Sequence, residues 1–125
     1  MGPSLMLHCM RKMTEMPEEV DSHWLHFHDL DLNDKQLKEL RNIESTTLKD
    51  LIRKKADKRI FEIELHELLD NEIVDTKAVK EKFRQIALIE SEMQLTVIES
   101  MERMKAVLTP AQLNTLKKLR QMNHE

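Results

Sequence analysis

Glycine and proline are nearly missing from this chain. In 125 residues there is one Gly and three Pro, at Gly2, Pro3, Pro17 and Pro110, and there is no Tyr, one Trp and three Phe. Sheets draw on turn glycines and on β-branched or aromatic residues, so this scarcity excludes a strand-rich fold. One cysteine, Cys9, excludes an intrachain disulfide and leaves the redox compartment open. No run approaches the ~18 apolar residues of a membrane-spanning helix. Neither charge sign dominates: 20 Lys and Arg stand against 23 Asp and Glu, a net charge of −3, with no electrostatic footprint for nucleic acid. No secretory leader is visible, which a mature or recombinant chain would share with a cytosolic one.

What is abundant is Leu, Lys, Glu, Met, Gln and Arg, all good helix formers. The expected class is all-α. Residues 1–16, MGPSLMLHCMRKMTEM, form a Met-rich segment, either a tail or a short amphipathic turn, and residues 17–125 read as a single domain. Pro17 followed by Glu18 and Glu19 suits a helix N-terminus, and this first short helix would reach about Phe27. LDLNDKQ then opens a second helix, with Asn33 as cap and Gln36 three positions later, the pattern of a capping box. No breaker follows until Asp70–Thr76, where Asp75 is the next cap. A third helix runs from about Thr76 to Val107. LTPAQ stops it and starts a fourth, about Pro110 to Gln121, with Thr109 as cap, Pro110 at the first helical position and Gln112 three after the cap.

The second and third helices, joined by a short turn, predict a long antiparallel helical hairpin. Apolar residues step by threes and fours through Leu37, Leu40, Leu48, Leu51, Ile52, Ala56, Ile60, Ile63 and Leu68 in one arm. In the other they step through Val79, Phe83, Ile86, Met93, Val97, Met101 and Met104. Phe61, Leu65, Ile89 and Ile98 widen these stripes beyond what one partner helix covers. The terminal helices, a second chain, or both would cover the remainder.

Two pentamers of the form Leu-[Thr/Asn]-x-x-Gln, LNDKQ at 32–36 and LTPAQ at 108–112, each open a helix. On these, and on the order short helix, long hairpin, short helix, the chain resembles the LTXXQ-motif periplasmic family (Spy-, CpxP- and ZraP-like proteins) over roughly residues 23 to 120. LTPAQ matches the motif in full, and LNDKQ departs at its second position, where Asn keeps the capping chemistry. The resemblance implies a curved, dimeric helical hairpin in the periplasm. It implies one of two functions: binding unfolded clients on a concave face, as in a stress chaperone, or heavy-metal sensing and resistance, as in the branch resembling CnrX. The pentamers belong to both branches and also serve as plain helix punctuation.

Glu44 interrupts the apolar stripe, four after Leu40 and four before Leu48. A carboxylate there is expensive unless paired or ligated, and in the metal sensors that this chain resembles a Glu in this part of the arm is a ligand. The alternative is a side chain that swings to the rim or meets a basic partner. His23, His26 and His28 cluster before the second helix, and imidazole is the commonest nitrogen ligand for Zn, Ni and Cu. They are equally compatible with solvated or capping histidines, and the sensors' pair of His four apart is not reproduced. Met104 falls where that branch has a thioether ligand, but its His one turn earlier is replaced by Ser100; otherwise Met104 is a core residue. Glu90, near the other stripe, would pair across the hairpin with a base such as Arg53. The expected metal ligands are therefore His23, His26, His28, Glu44 and Met104, holding a transition-metal ion (Zn, Ni, Co or Cu). Expected partners are a second copy and either a membrane-bound regulatory protein or unfolded clients, with no nucleic acid. No nucleophile motif, phosphate loop or HExxH is present, and the chain reads as a binding protein rather than an enzyme.

Overall fold

The structure, a computed structural model of the chain, describes Phe27 and residues 29–122. Among the described residues all regular structure is helical: α1 (Asp34–Leu69), α2 (Thr76–Val107) and α3 (Pro110–Met122), with no strand. No described helix is long and apolar enough to cross a membrane. The expected short helix before Phe27 and the Met-rich segment lie outside the described residues.

Local chemistry sets each boundary. Asn33 is extended, and its side chain accepts from the Gln36 N–H at 2.8 Å, while Gln36 Oε1 accepts from the Asn33 N–H at 3.1 Å. This reciprocal box satisfies two N–H groups that a helix start would leave orphaned. Asp75 caps α2 by accepting from the N–H groups of Lys77 and Ala78. α2 ends because Pro110 disfavours helical backbone at Thr109 and lacks an N–H of its own. Leu108 is accordingly extended, and Thr109 starts α3 with its own box: Gln112 N–H to Thr109 Oγ1 at 3.2 Å and Thr109 N–H to Gln112 Oε1 at 2.9 Å.

α1 and α2 lie against each other. Thr47 meets Ser100, Lys54 Nζ donates to Thr96 Oγ1 at 2.7 Å, Lys58 pairs with Glu90 at 3.0 Å and Lys82 with Glu64 at 3.4 Å. Positions rise in one helix as they fall in the other. Glu90 therefore finds Lys58, not Arg53, because Lys58 is the base that faces α2 at that level.

The core is confined to one end of this pair. Every buried residue of α1 lies between Gln36 and Leu51, and every buried residue of α2 between Ile89 and Met104. Phe27, Leu40, Leu51, Met93, Val97 and Met104 join Leu108 and Leu116 in one cluster, which ties α3 and the approach to α1 onto the same base. Beyond Leu51 the inner track of α1 continues through half-buried Lys54, Lys58, Phe61, Leu65 and Leu68. This differs from the sequence expectation: Ile52, Ile60 and Ile63 are 49%, 53% and 45% exposed, and Phe83 is 55% exposed. The distal half of α1 carries two apolar tracks, and the phase set by Leu40, Thr47 and Leu51 at the base selects the one through Phe61.

Candidate functional site

The two pentamers meet. Gln36 Nε2 donates to Gln112 Oε1 at 2.7 Å and to the Val107 carbonyl at 3.2 Å. Gln112 Nε2 donates to Gln36 Oε1 at 3.1 Å and to the Asp31 carbonyl at 2.8 Å. Val107 stands two before the cap Thr109, and Asp31 two before the cap Asn33, so the junction is related to itself by a local two-fold. Each carboxamide oxygen accepts from its own cap and from the other glutamine, and each amide nitrogen donates twice, which exhausts the capacity of both groups. Gln36 is buried. Capping explains each Gln locally, so sequence reasoning missed that they bond to one another. The near-identity of the two pentamers was the available signal.

One step further into the pair lies a buried polar layer. Thr47 is 1% exposed and Ser100 is fully buried. Thr47 Oγ1 donates to the Ile43 carbonyl at 2.7 Å, so the Ser100 hydroxyl is the donor between Thr47 and Ser100 and in turn accepts from Arg103 Nη2 at 3.1 Å. Ser100 is thus occupied in joining the helices. Polar residues on an apolar track gave no sequence warning of this contact.

Glu44 is 1% exposed and Met104 fully buried. Glu44 precedes Thr47 by about one turn and Met104 follows Ser100 by about one turn. With Thr47 against Ser100 and the helices running oppositely, both fall at one level of the base. Glu44 is not left without an interaction partner. Its burial deep on the inner track is what the interrupted periodicity of the sequence anticipated.

His23, His26 and His28 lie outside the described residues. Phe27, between His26 and His28, is fully buried in the cluster that contains Met104, and Leu30 is buried beside it. Among the described residues no group of three or more His, Cys, Asp or Glu is arranged to hold a metal. A carboxylate and a thioether at one level are two of the side-chain types that transition metals accept. His66, in the last turn of α1, is exposed.

A groove of about 580 Å³ opens at the far end of the pair, between Glu64, Glu67, Leu68, Asn71, Glu81 and Lys82. Its Glu64 carboxylate is held by Lys82, whose ammonium also lies 5.3 Å from the Phe61 ring centre, and Glu81 lies 3.7 Å from Arg84. These pairings neutralise most of its charge.

No protein-family model matches the chain, and no curated protein or solved structure matches it either.

Proposed function

We propose that the chain is a periplasmic metal-binding protein of the heavy-metal sensor or resistance type, with the fold of an antiparallel helical hairpin. This is one of the two roles that the LTXXQ-motif resemblance implies, and it is a binding rather than a catalytic role. The observation that carries it is the depth of Glu44, a carboxylate 1% exposed at the level of a fully buried thioether, Met104. In this reading Glu44, Met104 and imidazoles from His23, His26 and His28 hold a Zn, Ni, Co or Cu ion. The bound ion would add positive charge beside the carboxylate, in addition to the interaction that Glu44 already makes. Glu44 and Met104 present donors from two different helices, and Phe27, the sequence neighbour of His26 and His28, is buried in the cluster that contains Met104. Ligation would favour one arrangement of that segment, and of associated copies of the chain, over another. A membrane-bound regulatory partner would read the difference. Ser100, engaged with Thr47 and Arg103, takes no part in ligation.

Calorimetric titration with Zn, Ni, Co and Cu ions tests this. A His23→Ala/His28→Ala/Glu44→Ala variant should bind at least about 100-fold more weakly than the native chain. Superimposable titrations for the two proteins would refute the proposal.

A stress-chaperone reading rests on a different observation. Ile60, Ile63, Phe83 and Leu88 are exposed on the distal half of the pair, and Arg53, Lys55 and Arg59 stand exposed nearby. Such a surface suits partly unfolded clients. Suppression of aggregation of a model client, measured with and without chelator, separates the readings: chelator-independent protection supports the chaperone, and absence of protection removes it.

A further inference from the structure

The outer sides of α1 and α2, turned away from each other, carry two apolar stripes that nothing above employs. On α1 the stripe is Ile52, Ala56, Ile60 and Ile63, spaced by four, four and three. On α2 it is Leu88, Leu95 and Ile98, spaced by seven and three, with Ser91 between. The leucines and isoleucines among them are 45% to 62% exposed. Eleven residues in one and ten in the other make both stripes about 15–16 Å long at 1.5 Å per residue.

Their flanks differ in sign. Exposed Lys49, Arg53 and Arg59 border the α1 stripe, with Asp57 as the opposing charge. Exposed Glu92, Glu99 and Glu102 border the α2 stripe, with two opposing charges: Lys105, already paired to Glu102, and Arg84, four before Leu88 and beside Glu81. A two-fold contact of either stripe with itself would bring like charges together, which is unfavourable.

The stripes also share a register. Within the chain, Thr47 stands opposite Ser100, Lys54 opposite Thr96 and Lys58 opposite Glu90. A copy displaced sideways without rotation keeps that register between its α2 and the neighbour's α1. Ile52 then falls within about one helical turn of Ile98, Ala56 of Leu95 and Ile63 of Leu88. Lys49 falls within the same reach of Glu102, and Arg53 of Glu99.

We propose that a second copy of this chain docks here, the outer α1 stripe of one molecule packing against the outer α2 stripe of the next. The contact is heterologous and does not close on a pair, so copies add side by side into rows. One helix–helix seam of this length is smaller than a standard permanent interface, so growth depends on protein concentration. The inference is independent of the metal site.

Sedimentation velocity on the full chain tests it with Ile60→Glu and Ile98→Lys, both at exposed positions and expected to retain helical circular dichroism. The introduced charges would sit about eight residues, or 12 Å, apart along the seam and so do not pair with each other. The native chain should grow past twice the monomer mass as concentration rises. Each variant alone should stay monomeric, because each lacks one of the two stripes. An equimolar mixture should form a one-to-one complex and nothing larger, since one good stripe of each kind remains. A mixture that stays monomeric overturns the proposal. So does a native chain that stops at two copies, which would indicate a closed two-fold pair, or one that stays monomeric throughout, which would mean the stripes are covered within the chain or by another partner.

Discussion

Replacing Gln36 and Gln112 by Ala, singly and together, asks whether the two pentamers are helix caps or one joint. If each Gln were only the far half of a capping box, each loss would cost about 1 kcal/mol and the two would add. The structure gives a larger and coupled figure. Gln36→Ala removes the amide pair with Gln112 and the bond to the Val107 carbonyl, at a site that is buried. These three bonds at about 0.5–1.5 kcal/mol each, with Gln112 then half-satisfied, give a loss of roughly 3 kcal/mol beyond that of the capping bond from the Asn33 N–H. Gln112→Ala removes the same amide pair and the bond to the Asp31 carbonyl, for a loss of about 2–3 kcal/mol because Gln112 is only half-buried.

The double variant cannot lose the amide pair twice, and it leaves no half-satisfied glutamine. Its loss should therefore fall short of the sum by about 1–2 kcal/mol. Urea unfolding followed by circular dichroism at 222 nm measures all four proteins, provided the slopes agree. A single loss of roughly 3 kcal/mol also lowers the melting temperature by about 11–15 °C for a domain of this size. Additivity within about 0.5 kcal/mol would refute the joint and reduce both residues to separate caps.

Three further outcomes follow from the same packing. Thr47→Val should cost about 1–2 kcal/mol by leaving Ser100 short of a partner, and adding Ser100→Ala should recover part of it in the same urea assay. Leu51→Ala, at a fully buried position, should cost about 2–5 kcal/mol, whereas Ile60→Ala, 53% exposed, should stay within about 0.5 kcal/mol under dilute conditions. Amide hydrogen exchange should be slowest in residues 36–51 and 89–104 and faster toward residues 64–82; uniform protection along both helices would contradict the confinement of the core to one end.

The helix boundaries were legible because each is a local event. Asn33, Asp75 and Thr109 announce themselves by side chains that can accept from the next turn, and Pro110 by what it cannot do. Glu44 was legible because it breaks a period. The phase of the distal track was not, because Ile52, Ile60 and Ile63 step as regularly as Phe61, Leu65 and Leu68, and only packing at the base chooses between them. The partner of Glu90 followed the same ambiguity: Arg53 and Lys58 differ by the direction each faces, and that direction is inherited from the base. The Gln36–Gln112 joint was hidden by a sufficient local explanation for each residue.

The distribution of polar groups assigns different work to the two ends. At the base, the glutamine joint, Glu44 and the Thr47–Ser100 contact lie among apolar side chains, and each penalises a slipped register by stranding a buried polar group. A one-turn slide of α2 along α1 would separate Thr47 from Ser100 and Gln36 from Gln112 together. The base therefore fixes how the helices align, and with it the level shared by Glu44 and Met104. Farther out, the links across the pair are Lys58–Glu90 and Lys82–Glu64, whose carboxylates are 49% and 45% exposed, and pairs of this kind contribute little. Those links tolerate bending that the base does not. A ligand held at the base would act on the rigid end, and contacts made along the outer α1 stripe, beyond Leu51, would act on the compliant one.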